Sequence, residues 1–489
     1  MQHSTGKIIK NTAVFTGALL MQKVLSFAYF LYLSSNLLPS QLGSYVWALS
    51  FTTLFSIGMD LGLSPLFTRE ASKDDKSDER YLRTLLGIKI PLIFITTLTA
   101  IVVLFLTKSD WLIRFLVFGA AGVMIFDSLS LMFYSFLRSK QKLQYEGVGI
   151  IGFQLITLVG GVLLLELTGN IVLVMLALAT SAFVNFVYSV IIVKAKFGYS
   201  LRPAYDKKTI KYFFRLMPAF ALSGIFIKIY NVSDAVILGY LADNAAVGLF
   251  SIPAKAVTAF QALIPGAFQA TVYPAMSNFY VTSKVRLKNL FEKSFNYLGL
   301  ISVPIALGLY AVASPIIYLI WPKYVAAIPT FKIMSLALPF IFLAFPTGLL
   351  LRACDRQTAN TVNRGIITVL SVVLNLILIP IYGVFGAGIT FFVVNVVLLL
   401  LDFIFVRRVI SFSVRRLVWY NTRVLIAGIG MAIFVKSFVH EFPFYFAILA
   451  GVLVFTLLII LFRVVTKEEY FYFKDKLFKK DVRETINNN

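Results

Sequence analysis

The chain holds one cysteine and two histidines in 489 residues: Cys354, His3 and His440. A lone thiol excludes an intrachain disulfide and a cysteine-rich metal cluster. Two imidazoles, each near a chain end or a span end, leave metal catalysis almost without ligands. No metal or other cofactor is therefore expected. Charge is scarce as well, with Asp, Glu, Lys and Arg at 14% of residues. Also missing is a Gly-x-x-x-x-Gly-Lys-Ser/Thr phosphate loop, and no soluble stretch is long enough to hold one, so intrinsic ATP-driven pumping is not expected.

Apolar side chains fill the space that charge leaves. At 59% hydrophobic and mean hydropathy +0.86, the chain has more apolar surface than a soluble core can take up, and lipid must cover it. The first run, Thr12 to Leu38, is too long for the core of a secretion signal and is followed at once by another, so it is expected to span rather than be cleaved. Fourteen runs approach the roughly 20 residues a membrane helix needs. They lie near 12–38, 43–67, 84–107, 111–136, 147–166, 170–193, 212–240, 247–273, 294–319, 329–350, 363–381, 386–406, 419–437 and 444–463. Their continuity, without period-two alternation, argues against a β-barrel. The predicted fold is an all-α polytopic membrane protein.

The net charge of +23 follows the loops. With the N-terminus inside, interior segments hold Lys7 and Lys10, then Arg69, Lys73, Lys76, Arg80 and Arg83, then Arg138, Lys140 and Lys142. The basic interior tail adds Lys467, Lys474 and Lys476 among others, whereas the opposite loops hold little beyond Lys108, Lys323 and Lys436. Basic residues accumulate on the cytosolic side, so both termini are expected there. The same charge fits contact with anionic lipid better than nucleic acid, for which no basic soluble domain exists.

Two halves of the chain correspond. Gly43 to Ser72 is 29 residues, and Gly248 to Ser277 is 29 again. The basic turn Leu137-Arg138-Ser139-Lys140 parallels Leu351-Arg352-Ala353-Cys354. Six spans per repeat is an even number, so both copies share one orientation about an axis along the membrane normal. The predicted organisation is an N-lobe at 1–193, a cytosolic linker at 194–211 and a C-lobe at 212–406. A linker with an appended helix pair at 407–463 and a basic tail at 464–489 complete it.

Charges inside the apolar runs are the functional candidates. Lys23 lies 20 residues before Gly43, and Lys228 lies 20 before Gly248. At about 1.5 Å per residue they reach roughly 16 and 24 Å into their helices. A charge at such depth costs about 2.5–3.5 kcal/mol on insertion scales, so it needs a reason. Lys255 lies in the outer half of the eighth span, after a kink expected at Pro253. Asp60, Asp127 and Asp234 are candidates for ion pairing or ion coupling, with Lys23–Asp60 and Lys228–Asp234 as pairings to test. Lys89, near an inner helix end, is expected to snorkel. Arg69 and Arg215 are candidate cations at the cytosolic mouth. Lysines not matched by acids suit an anion, and a pyrophosphate can satisfy several ammonium donors together. Lys23, Lys228 and Lys255 are thus the candidate head-group site, with Lys23 and Lys228 expected to face each other across the lobe interface.

Three stretches carry a family likeness. One runs from Leu37-Leu38-Pro39-Ser40-Gln41-Leu42-Gly43 through Gly58-Met59-Asp60-Leu61-Gly62 to Thr68-Arg69-Glu70; another is Trp321-Pro322-Lys323-Tyr324. The third is Pro380-Ile381-Tyr382-Gly383-Val384-Phe385-Gly386. In this order they resemble the Wzx-type polysaccharide flippases of the multidrug/oligosaccharidyl-lipid/polysaccharide exporter superfamily. The resemblance implies a non-enzymatic flippase in the bacterial cytoplasmic membrane, moving a polyprenyl-pyrophosphate-linked oligosaccharide to the outer leaflet by alternating access. It implies membrane lipids and glycan polymerase or assembly proteins as partners, and a monomeric transport unit. Fourteen spans are also similar to the lipid II flippases, which add a C-terminal helix pair. An ion-coupled multidrug exporter of the same fold is the main alternative, and a lysine-rich cavity would repel its cationic drugs. A membrane-embedded glycan ligase or polymerase would need larger outer loops than these.

Overall fold

The computed structural model describes residues 2–73, 77–439 and 441–464. Lys76, His440 and the basic tail from 465 onward lie outside the described residues. Among the described residues every regular element is helical. The first seven are α1 (Gln2–Asn36), α2 (Pro39–Asp60), α3 (Leu63–Ala71), α4 (Asp78–Thr107), α5 (Trp111–Ser139), α6 (Leu143–Thr168) and α7 (Ile171–Phe197). The next seven are α8 (Lys207–Leu241), α9 (Asn244–Leu263), α10 (Pro265–Thr282), α11 (Lys284–Ile320), α12 (Ile328–Ser335), α13 (Leu338–Ala353) and α14 (Gln357–Val406). The last two are α15 (Val414–Phe438) and α16 (Phe444–Leu461).

Short polar side chains start many of these helices. Asp110, Asn170, Asp206, Asp243 and Ser283 each accept from a backbone N–H in the first turn of the helix that follows, which satisfies donors the helix itself cannot use. Gly169 and Gly198 close α6 and α7 in the left-handed conformation that favours glycine. Large apolar side chains such as Leu106 and Leu167 stand exposed along the outside, where lipid rather than water fits them.

Among the described residues, thirteen helical stretches are long and apolar enough to cross a membrane. The chain is an all-α, multi-pass membrane protein. One stretch, α14, has 50 residues but is interrupted at Gly383, with φ 56° and ψ −132°. A side chain on Gly386 would stand 2.3 Å from the Leu378 carbonyl, so the chain folds back sharply there. Two other predicted spans are also broken. Pro253, where a kink is expected, sits inside α9 without ending it; the helix ends at Leu263, and Pro265 starts α10. Proline suits the first turn of a new helix, where its missing N–H costs nothing. The tenth predicted span is likewise two pieces, α12 and α13, that meet at Leu336–Ala337.

Helices pack into two lobes. In the first, α1, α2, α5, α6 and α7 contact one another, and in the second α8, α11, α13 and α14 do so. The lobes meet where α2 lies against α8 and α9 and where α1 touches α9. The helix pair α15–α16 attaches through α11. The largest buried cluster, with Leu42, Trp47, Phe51, Val247 and Trp321, sits at this junction.

Candidate functional site

Contacts between the lobes are dense at the end bearing Gly43 and Gly248. The Trp47 indole donates to the Val236 carbonyl at 3.3 Å, and the Trp321 indole donates to Ser34 Oγ at 2.7 Å. Tyr324 Oη donates to the Leu37 carbonyl at 3.2 Å, and Lys323 Nζ to the Asn36 carbonyl at 2.8 Å. The family-like Trp321–Tyr324 stretch therefore clasps the end of α1. Lys108 Nζ lies 5.0 Å from both the Trp47 and Tyr240 rings and donates to the Gly239 carbonyl.

Deeper along the interface stand the three candidate lysines. Lys23 is exposed on α1, and Lys255 is exposed on α9. Lys255 Nζ lies 5.6 Å from the centre of the Phe30 ring, two turns beyond Lys23 on α1. Lys23 and Lys255 lie within electrostatic reach of each other. They form no hydrogen bond or ion pair among the described residues. Two ammonium groups from different lobes thus lie near one another without an ion-pair partner among the described residues.

Lys228 is placed differently. Its Nζ donates to Ser56 Oγ at 2.9 Å and approaches the Ser56 carbonyl at 3.4 Å. Asp60 and Lys89 are the charges in its surroundings. The lysine is thereby tied to α2 of the facing lobe.

Asp60 is engaged by Lys89, which sits 2.9 Å away, and by the Ser64 hydroxyl. Lys89 is wholly buried and also donates to the Ser128 carbonyl at 2.7 Å. Snorkelling, expected from its position near a helix end, does not occur, because a carboxylate, a hydroxyl and a carbonyl solvate the ammonium inside the lobe. The pair anchors the break between α2 and α3, where Leu61 and Gly62 adopt φ of 43° and 76°. A Cβ on Gly62 would stand 2.6 Å from the Ala221 amide nitrogen, so this glycine serves both the turn and the close approach of α8. Neither Lys23–Asp60 nor Lys228–Asp234 is an ion pair among the described residues. Asp234 instead accepts from Asn375 Nδ2 at 2.5 Å and from Ser371 Oγ at 3.3 Å. Asp127 is exposed on α5, beside the Ser128 carbonyl that binds Lys89.

Arg69 stacks over Phe220 at 5.7 Å and is exposed at the opposite end of α2–α3 from Gly43, and Arg215 is exposed on the first turns of α8. Next to Arg69, Glu70 accepts from Lys73 and from Tyr212 Oη at 2.8 Å each. Burial pushes the Glu70 carboxyl up, but these hydrogen bonds and the Lys73 and Arg69 charges outweigh it and hold it below the ordinary value of 4.5.

Asp234 opens onto a cavity of about 550 Å³ within the second lobe, which also takes in Arg352, Arg364, Asn360 and Asn395. The sequence reading passed over Arg364 and Asp402, which stand near the ends of their apolar runs and so lack the depth that singled out Lys23.

A family described as polysaccharide biosynthesis protein matches residues 8–280, more than half of the chain. The chain belongs to that family. A curated relative, the probable flippase AglR of Haloferax volcanii, is 26% identical over 165 residues, which cover 33% of this chain and 34% of that protein. The match thus spans about a third of the relative's length. Among solved structures, the lipid II flippase MurJ in an inward closed conformation superposes with TM-score 0.75 at 14% identity, covering 92% of this chain and 99% of that one. An inward-facing multidrug resistance MATE family transporter gives TM-score 0.64 at 13% identity, covering 80% and 98%. At such identities the likeness is one of fold.

Proposed function

We propose that this protein is a flippase that carries a polyprenyl-pyrophosphate-linked glycan across the membrane by alternating access. One observation carries the reading: Lys23 of one lobe and Lys255 of the other lie within electrostatic reach, and neither has an ion-pair partner among the described residues. Like charges in a low-dielectric setting repel, and an anion between them removes the penalty. A pyrophosphate offers enough acceptor oxygens for both ammonium groups and for Lys228 once it leaves Ser56. The polyprenyl tail stays in lipid. An apolar groove of about 550 Å³ between α11, α13, α14 and α15 suits such a tail, giving the C-terminal pair a purpose.

In this reading α14 crosses twice, about Gly383, for fourteen spans in two pseudo-twofold lobes, 1–193 and 212–406, joined by the linker 194–211. The pair within 407–463 and the tail 464–489 follow, with both termini in the cytosol. Arg69 and Arg215 draw the head group into the cytosolic mouth, and Asp127 and Asp234 are the carboxylates available for ion coupling. A monomer suffices, handing its cargo to glycan polymerase or assembly proteins outside. No bond is made or broken.

A second reading is favoured by the fold. The likeness to MurJ spans nearly all of both chains, which supports lipid II, itself a pyrophosphate-linked glycolipid, as cargo. Leaflet translocation in proteoliposomes separates the readings, with lipid II, other pyrophosphate-linked glycolipids and a cationic drug tested side by side. Transport of a pyrophosphate-linked lipid that falls at least tenfold in Lys23→Ala and Lys255→Ala is expected. Transport of the drug alone would overturn the proposal.

A further inference from the structure

The second lobe holds two guanidinium groups with little to bind. Arg352, at the end of α13, uses its Nε on the Gly348 carbonyl of its own helix at 3.3 Å. The Arg364 guanidinium, on α14, has no hydrogen-bond or ion-pair partner among the described residues. Each guanidinium carries five N–H donors in a planar fork, so most of the ten make no hydrogen bond to the described residues, with Arg352 exposed and Arg364 half-buried. Both side chains line the same cavity, and each lies in the other's field.

The carboxylate nearby does not neutralise them. Asp402 is 1% exposed and is held by Asn363 Nδ2 at 2.8 Å and Thr347 Oγ1 at 3.2 Å. It feels both arginines but makes no ion pair with either among the described residues. Asp234, on α8 at the same cavity, is occupied by Asn375 and Ser371, which stand eleven and seven residues along α14 from Arg364, about 16 and about 10 Å of helix rise. The trio Arg352, Arg364 and Asp402 therefore keeps one net positive charge.

The rest of the lining has a different chemistry. Gln261, Gln269, Asn360 and Asn395 supply amides, groups that donate to and accept from hydroxyls alike. Phe226, Tyr230 and Phe345 supply ring faces. Amides and rings together suit a polyhydroxylated ring better than a bare phosphate. A guanidinium pair suits a planar carboxylate, which it can grip with parallel hydrogen bonds.

We infer that this cavity is a sugar subsite selective for an acidic residue, a hexuronate or similar carboxylate-bearing sugar, whose carboxylate lies between Arg352 and Arg364. The inference rests on the flippase reading and names its cargo class: a pyrophosphate-linked glycan with an anionic sugar, the pyrophosphate at the interfacial lysines and the carboxylate in the second lobe.

The test uses two farnesyl-pyrophosphate-linked probes that differ only at C6 of the sugar, one glucosyl and one glucuronosyl. Binding to the purified full-length protein is measured by thermal shift and native mass spectrometry, and transport in proteoliposomes. Wild type is expected to prefer the glucuronosyl probe about tenfold or more. Arg352→Gln and Arg364→Gln should each erase that preference and leave affinity for the glucosyl probe unchanged. Arg352→Lys and Arg364→Lys, which keep the charge but lose the fork, should retain part of it and serve if a glutamine variant does not fold. Equal binding of both probes by wild type would overturn the subsite. So would equal weakening of both in the arginine variants, which would put the shared pyrophosphate there instead. Failure of wild type to bind or move either probe would instead remove the flippase reading itself.

Discussion

Gly43 and Gly248 meet backbone to backbone. A Cβ on Gly43 would stand 1.6 Å from the Asn244 carbonyl oxygen and 2.7 Å from the Gly248 amide nitrogen, and one on Gly248 would stand 2.0 Å from the Pro39 carbonyl oxygen. The first turns of α2 and α9 thus cross with no side chain between them, and this end of the lobe interface closes only because both residues are glycine. Backbone atoms cannot yield as a flexible side chain does. In Gly43→Ala and Gly248→Ala the closed arrangement should lose population to one open at this end. Spin labels on Ser35→Cys and Leu319→Cys, exposed positions beside the clasp, would report it, since the native Cys354 is buried. Unchanged label distances in both variants would show that the glycines do not control closure.

Lys108 is the second closing device. Its ammonium lies 5.0 Å from the Trp47 and Tyr240 rings, which belong to different lobes and pack edge to face 5.4 Å apart, while Thr107 Oγ1 lies 3.0 Å from the Tyr240 hydroxyl. A cation over an aromatic face contributes about 0.5–1 kcal/mol when exposed and about 2 when desolvated. Lys108→Ala should therefore shift the equilibrium between closed and open ends by about 1–2 kcal/mol, roughly tenfold in population. Lys108→Arg, which keeps the cation over both rings, should retain most of the closed form. An alanine variant with wild-type distance distributions would contradict the assignment.

The buried Asp60–Lys89 pair predicts an asymmetric result. Removing one member of such a pair costs about 3–5 kcal/mol, because the other charge is left uncompensated. Asp60→Asn should accordingly lower the melting temperature sharply, with Lys89 stranded among Ser64, Ser128 and apolar neighbours. Asp60→Asn combined with Lys89→Met should recover much of the loss. A double variant no more stable than Asp60→Asn alone would mean that the turn at Leu61–Gly62, rather than charge, depends on Asp60.

The helical architecture was legible because lipid imposes a simple rule: apolar runs near 20 residues, with basic turns between them. The breaks were less so. Pro253 and Pro265 look alike in a sequence, but only Pro265 begins a helix, and a proline's effect depends on which carbonyl would face its ring. The intramembrane charges were easy to find and hard to pair. Lys89 stands near a helix end, as a snorkelling lysine would, yet its partner Asp60 is a separate helix away, a relation set by packing rather than spacing. Lys255 faces Lys23 for the same reason: α1 and α9 touch, and nothing in their separate sequences says so. Arg364 and Asp402 were visible as charges near the ends of apolar runs, but Arg364 meets Arg352 in one cavity only once α13 and α14 are side by side.

Glu70 supplies a dependence on pH. Its carboxylate is 5% exposed and takes hydrogen bonds from Lys73 on its own side and from Tyr212 on α8, so it ties the end of α3 to the start of the second lobe. The folded carboxyl titrates below 4.5; a depressed acid contributes stability that is present above its unfolded value and lost as pH falls through the folded one. Lys73 is 52% exposed and its charge is screened, so the contribution is near the low end for a charged hydrogen bond, about 1.5 kcal/mol. Wild type should be more stable than Glu70→Gln by that amount at neutral pH. The gap should hold down to about pH 4.5 and shrink below it, as proton uptake makes the native acid resemble the amide. Thermal unfolding of both proteins in detergent between pH 3 and 8 would measure it. A gap that stayed constant to pH 3 would show that Glu70 acts through shape alone, and one that widened on acidification would reverse the sign argued here.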